Sequence, residues 1–288
     1  MPEATTYSPE LPSQVGVYGG GRMGAGIAHA FLLAGSSVVI IENSAHAADT
    51  AYDTVRQTLT RAAERGQLDD GVEVVLARLT TTTQGADLRG AGLVVEAVPE
   101  NVGLKQRILS SVEAVAPAAV LATNTSSLSI ATIAECLRRP ERFVGLHFFN
   151  PVPASDLVEV VVGPATDQGL VEAARSWVTV LGKTAITVND APGFASSRLG
   201  VAIALEAIRM VEEGVASAAD IDTAMTLGYR HPVGPLRTTD IVGLDVRLAI
   251  AEHLTRELGA RFEPPNLLRD KVARGELGRK SGRGFYSW

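Results

Sequence analysis

His147 and Glu159 can be set face to face by numbering alone. The apolar runs Phe143 to Phe149 and Leu157 to Val162 flank a proline-containing loop. If they pair as a hairpin symmetric about Pro153, positions summing to 306 oppose each other, and His147 meets Glu159. Opposed Cβ atoms lie roughly 4.5–5.5 Å apart, close enough for the carboxylate to accept the Nδ1 proton and leave Nε2 as a base near neutral pH. The same pairing also describes a buried histidine satisfied by an ion pair, and a bulge in the loop would break the register. Ser126, in the NTSS segment 124–127, follows the apolar run Val120 to Thr123; it is either a hydroxyl donor for a substrate oxygen or a cap for the next helix. Gly19, Gly21 and Gly24, with Met23 inside the turn, follow the run Val15 to Tyr18 and open a helical stretch, a pattern that holds a pyrophosphate on backbone amides. A glycine turn that only lets helix and strand pack closely has the same spacing. Glu42 ends the next apolar run, where a carboxylate accepts hydrogen bonds from an adenosine ribose and repels a 2′-phosphate, favouring NAD over NADP. Base, oxygen donor and cofactor turn together are what NAD-linked alcohol oxidation needs.

The elements that must position these groups alternate. Val38 to Ile41, Leu93 to Val98 and Val120 to Thr123 read as buried strands, and helices are predicted after the 19–24 turn through Ala34 and near 44–65 and 101–115. Continuous apolar strands separated by helices imply a parallel sheet covered on both faces, a Rossmann-type doubly wound α/β domain. Its last strands (143–149, 157–162 and 184–188, with a helix near 168–181) form an antiparallel edge. After Pro192-Gly193 helical periodicity takes over, which sets a domain boundary near 190: an NAD-binding domain over 14–190 and an all-helical domain over 191–288. Leu199, Ala202, Ile203, Glu206, Ala207, Met210 and Val211 recur at helical spacing and predict one largely apolar face ending at Gly214. Ser217 and Asp220 resemble a capping pair.

Over 288 residues, 26 Lys+Arg against 32 Asp+Glu leave a formal charge of -6, with 46% hydrophobic residues. That excludes extensive disorder and gives no basic footprint for nucleic acid. Cys136, the single cysteine, can form neither an intramolecular disulfide nor a multi-thiolate zinc site, so no metal is expected and a reducing compartment fits. Residues 1–13 carry no signal or transit pattern and are expected as a loose tail. With no apolar run long enough to span a bilayer, no membrane partner and a cytoplasmic location are expected.

The ordered motifs GGGRMGAGIA (19–28), VVEAVPEN (94–101), NTSSLSI (124–130), GLHFFNPV (145–152), LVEVV (157–161) and GRKSGRGFYSW (278–288) resemble the 3-hydroxyacyl-CoA dehydrogenase family over nearly the whole chain. The resemblance implies NAD-dependent interconversion of (S)-3-hydroxyacyl-CoA and 3-oxoacyl-CoA. His147 would be the base, Glu159 its orienting partner, and Ser126 a contact to substrate and cofactor. It also places Glu100, Lys105, Asn150 and Lys280 at the NAD site, with solvated surface charge as the alternative reading of Lys105 and Lys280. Arg61 and Arg65, one turn apart, are candidates for the anionic coenzyme A tail, with Arg56 a weaker one; solvated arginines fit as well. Where the family carries an active-site asparagine, this chain has Ser197 in Pro192-Gly193-Phe194-Ala195-Ser196-Ser197-Arg198. The helical domain is expected to close the substrate cleft and carry a homodimer interface. Two rival readings stay open: a dehydrogenase of a non-thioester hydroxy acid, and a catalytically silent NAD-binding protein.

Overall fold

The computed structural model describes residues 7–288, and the chain divides into two compact units, Met1–Asp190 and Ala191–Trp288. In the first, strand β1 (Gln14–Tyr18) leads through the glycine turn into α1 (Arg22–Leu33), then β2 (Ser37–Ile41) and α2 (Ala45–Glu64). A short helix α3 (Val72–Leu76) and β3 (Leu79–Thr82) follow, then β4 (Leu93–Glu96), α4 (Val102–Val115), β5 (Val120–Thr123) and α5 (Ile130–Ala134). β6 (Phe143–Phe148), β7 (Leu157–Val162), α6 (Gln168–Val180) and β8 (Thr184–Asn189) complete the unit. The eight strands lie in the order β3-β2-β1-β4-β5-β6-β7-β8, so the order reverses between β1 and β4.

The antiparallel step expected at the edge is the β6–β7 pair; β8 then pairs parallel to β7. Strand alternation divides the core. Val15, Val17, Leu93 and Val95 join α1, α2 and α6 on one face, while the intervening Val94 and Leu121 are buried on the other, the side of α4 and α5. No element was expected between Arg65 and Leu93, yet β3 occupies the sheet edge there. Its sequence, LTTT, is β-branched with little apolar character, so apolar runs do not reveal it.

The loose tail is corrected for residues 7–13. The buried Trp177 indole on α6 needs an acceptor, and its Nε1 donates to the carbonyls of Ser8 (3.1 Å) and Glu10 (2.9 Å). Ser36 Oγ donates to Pro12 O, Ser37 N to Ser13 O, and Tyr7 and Leu11 pack on the core. The part of the expectation that falls on residues 1–6 lies outside the described residues.

His29 on α1 is 3% exposed, and its Nδ1 has no hydrogen-bond partner among the described residues. Burial, reinforced by the Lys183 charge, holds its pKa down at about 4. The unfolded chain takes up this proton near pH 6.5 and the folded chain only near 4, so the contribution is intact above 6.5 and is lost as pH falls towards 4. Between pH 7 and pH 5 the loss is expected to be about 2 kcal/mol. Urea unfolding of His29→Gln should lack this component; an unchanged pH slope would assign the acid sensitivity elsewhere.

The second unit contains α7 (Ser196–Glu212), α8 (Ala218–Thr223), a π-turn over 224–228, α9 (Pro235–Val242), α10 (Leu244–Leu258) and α11 (Asn266–Ala273). Ser217 caps α8 as expected, accepting from Asp220 N and donating to Asp220 Oδ2. The apolar face expected on α7 lies largely outside its buried side. Val201, Ala204, Leu205 and Ile208 are buried, whereas Leu199 is 63% and Ile203 39% exposed. The helix has two apolar stripes at the same spacing, and periodicity cannot choose between them.

Asp240, fully buried on α9, organises the end of the chain. Its Oδ1 accepts from Phe285 N (2.8 Å), and its Oδ2 from Tyr286 N (2.9 Å) and Trp288 Nε1 (2.8 Å). A Cβ on Gly284 would overlap the Asp240 carboxylate, which explains a glycine in the GFYSW segment.

Candidate active site

The glycine turn is built by steric necessity. Gly19 adopts φ +96°, and a Cβ there would lie 3.0 Å from Ala97 O on the neighbouring strand end; a Cβ on Gly24 would overlap Gly19 O. Gly21 differs, because nothing lies within 4 Å of its Cβ position, and no side chain caps α1 at this residue. Open space in front of uncapped helix amides is what a pyrophosphate requires, so the turn fits a dinucleotide. Met23, expected at the cofactor, is half-buried and packs against the core. Glu42 reaches the turn from the end of β2: its Oε1 accepts from Gly20 N at 2.5 Å and its Oε2 from Asn43 N at 3.1 Å. The fixed negative charge suits a ribose diol and opposes a phosphate at the same place.

On β6 and β7 the register is Gly145↔Val161, Leu146↔Val160, His147↔Glu159 and Phe148↔Val158. Every pair sums to 306, the symmetry expected about Pro153. His147 Nδ1 and Glu159 Oε2 are 2.7 Å apart; Glu159 is fully buried and His147 is 6% exposed, its ring against Phe149 with centroids 4.5 Å apart. A carboxylate at Nδ1 selects the tautomer that carries its lone pair on Nε2, the arrangement of a general base.

NTSS continues from β5 at the same end of the sheet. Asn124 Oδ1 accepts from Phe148 N at 2.8 Å and thereby ties this segment to the residue after His147. Glu100, beyond the end of β4, accepts from Thr125 Oγ1 (2.5 Å), Ser126 N (2.9 Å) and Ser126 Oγ (3.3 Å). Burial pushes the Glu100 carboxyl up, but the Lys105 ammonium and the hydrogen bonds from Thr125 and Ser126 outweigh it and hold the group below its ordinary value. The helix cap that Ser126 might have formed belongs instead to Ser129, whose Oγ accepts from Thr132 N at the head of α5.

Lys105 is corrected. It is neither solvated nor on the surface of the site: its side chain is fully buried and paired with the equally buried Glu96 at 2.8 Å. Sequence reasoning missed Glu96 and Asn124. A glutamate closing an otherwise apolar strand is the signal that a cation must lie nearby, since a buried carboxylate needs one.

Asn150 is exposed just beyond β6. Arg61 and Arg65 are exposed at the C-terminal end of α2; Arg56 pairs with Asp53 at 3.1 Å, and Arg56 and Arg61 line one polar hollow with Glu64 and Glu73. Ser197, in the first turn of α7, and Lys280, paired with Asp245 at 2.6 Å, belong to the helical unit.

Comparison with known families then decides the lineage. The 3-hydroxyacyl-CoA dehydrogenase NAD-binding domain matches residues 14–191, and the C-terminal domain of the same family matches 193–288. The chain belongs to the 3-hydroxyacyl-CoA dehydrogenase family. A probable 3-hydroxybutyryl-CoA dehydrogenase of Deinococcus radiodurans is 42% identical over 275 residues, covering 95% of this chain and 99% of that one. The mitochondrial hydroxyacyl-coenzyme A dehydrogenase of Rattus norvegicus is 39% identical over 288 residues, 96% and 92% of the two chains. The crystal structure of (S)-3-hydroxybutyryl-CoA dehydrogenase from Ralstonia eutropha superposes with a TM-score of 0.92 at 38% identity, over 96% of this chain and 99% of that one. As a 3-hydroxyacyl-CoA dehydrogenase family member, the chain carries its NAD-binding domain on the Rossmann sheet described above.

Proposed function

We propose that the protein interconverts (S)-3-hydroxyacyl-CoA and 3-oxoacyl-CoA with His147 as the acid–base group, Glu159 as its orienting partner and Ser126 as the donor to the substrate oxygen. The 2.7 Å pair of His147 and Glu159, at the same end of the sheet as the open turn at Gly21, carries this reading. In the oxidative direction His147 Nε2 takes the hydroxyl proton as the carbonyl forms, and the imidazolium that results is stabilised by the Glu159 carboxylate. Ser126 Oγ, whose 3.3 Å bond to Glu100 is long enough to exchange, turns its proton to the oxygen. Bound NAD+ supplies the acceptor for the hydride leaving C3. The amides at the head of α1, Glu42, Glu100 and Asn150 would hold it, with Lys105 acting from beneath. Arg61 and Arg65 offer charge to the coenzyme A tail.

The proposal includes a homodimer formed through the helical unit, supported by the exposed apolar stripe of Leu199 and Ile203 and by Ile241, Val242 and Val246, each about 40% exposed. It also includes a cytoplasmic setting, which the lone thiol of Cys136 supports. No helix among the described residues is long and apolar enough to cross a membrane.

The test is NADH oxidation with acetoacetyl-CoA, with free acetoacetate and NADPH as comparisons. Thioester-dependent turnover is expected, with kcat/KM for NADH exceeding that for NADPH by about tenfold or more, about 1.4 kcal/mol of discrimination from the Glu42 charge. Comparable turnover of free acetoacetate would move the substrate outside thioesters, and tight NADH binding without turnover on thioesters of any chain length would favour a silent protein. Light scattering on the same preparation should give the mass of two chains; a single-chain mass would remove the dimer.

A further inference from the structure

One buried ammonium lies between two carboxylates behind Ser126. Lys105 Nζ is 2.8 and 3.0 Å from the two oxygens of Glu96, 3.2 Å from Val98 O and 3.4 Å from Glu100 Oε2. Glu96 is itself saturated: its Oε1 also accepts from Val98 N (2.7 Å) and its Oε2 from Thr123 Oγ1 (2.6 Å). Neither Glu96 nor Lys105 has any exposed side-chain surface, whereas the Glu100 side chain is 35% exposed. The ammonium is therefore held closer to the deeper carboxylate, and Glu100 keeps its Oε1 for Thr125 and Ser126.

We propose that Glu96 is a positioning residue for the reaction: by engaging the Lys105 ammonium with both oxygens, it leaves Glu100 to orient Ser126. This rests on the assignment of Ser126 to the substrate oxygen. Were Glu96 neutral, the buried ammonium would have Glu100 as its only carboxylate, and the pull across 3.4 Å would draw Glu100 away from NTSS. Ser126 would lose the bonds to its amide and hydroxyl together, and its hydroxyl would no longer be aligned before substrate arrives.

The experiment is a double-mutant cycle read in kcat for acetoacetyl-CoA reduction by NADH, normalised to NADH-binding sites so that misfolded protein does not count. Glu96→Gln is expected to lower kcat about tenfold in the parent chain and to have no further effect in a Ser126→Ala background, because its action passes through that hydroxyl. A purely structural role would lower thermal stability in both backgrounds and leave kcat per site unchanged. Thr123→Val, which keeps both buried charges and removes only the 2.6 Å bond to Glu96, gives the same comparison where Glu96→Gln does not fold; about a threefold loss is expected, again absent beside Ser126→Ala. Equal losses in both backgrounds, or no loss in the parent, overturn the proposal. Full kcat in Ser126→Ala alone would instead overturn the assignment of Ser126, which separates the two failures.

Discussion

His147→Ala is expected to lower kcat for acetoacetyl-CoA reduction about a thousandfold while NADH binds within about threefold of the parent affinity. The separation follows from where the side chain stands. His147 lies on the β6–β7 hairpin, and its Nδ1 contact is Glu159; the turn at Gly19 to Gly24 and the Glu42 carboxylate, which would carry the dinucleotide, belong to β1, α1 and β2. Glu159→Gln should fall between the two, about a hundredfold down, because an amide can present its NH2 to Nδ1 and favour the tautomer with the proton on Nε2. Stopped-flow turnover beside fluorescence titration of NADH checks both. Parallel loss of NADH affinity in His147→Ala would take the histidine out of the proton-transfer role.

That pair was legible because hairpin register is arithmetic: once two apolar runs and a turn are recognised, alternation leaves one partner for each position. The β1 turn was legible for a similar reason, since glycine spacing, strand and helix are all local. Lys105 was not. On α4 it is one cation in an amphipathic pattern, and its burial depends on Glu96, which reaches it only after β4 is laid beside β5 and capped by Thr123. The face of α7 that turns inward was equally hidden, because two stripes at one spacing are separated only by what the other helices cover. Residues 7–13 gave no pattern of their own; a distant indole on α6 holds two of their carbonyls.

Asp240→Ala is expected to destabilise the helical unit by about 4 kcal/mol, since three part-buried donors lose the carboxylate that accepts from them and each unsatisfied donor costs about 1–3 kcal/mol. The loss has a direction. Phe285, Tyr286 and Trp288 are tied to one carboxylate, so the final segment should release as a unit and become sensitive to limited proteolysis before the rest of the chain. Asp240→Asn should fare nearly as badly, because an amide brings a single carbonyl oxygen to donors held on both sides and turns an NH2 towards one of them. Chemical denaturation with proteolysis in parallel checks this; a loss below about 1 kcal/mol, with the segment still protected, would show that the aromatic side chains hold it without the carboxylate.

The β6–β7 ladder also separates what can drift over evolutionary time from what cannot. Distance between His147 and Glu159 is metered by the hydrogen bonds between β6 and β7, while the span from Phe149 to Asp156 returns the chain and carries Phe149 against the His147 ring. Insertions at the exposed Pro153 and Ala154 should be accepted without altering the reacting pair. A single residue gained or lost inside either strand would turn one partner to the opposite face of the sheet, and no side-chain substitution could restore it.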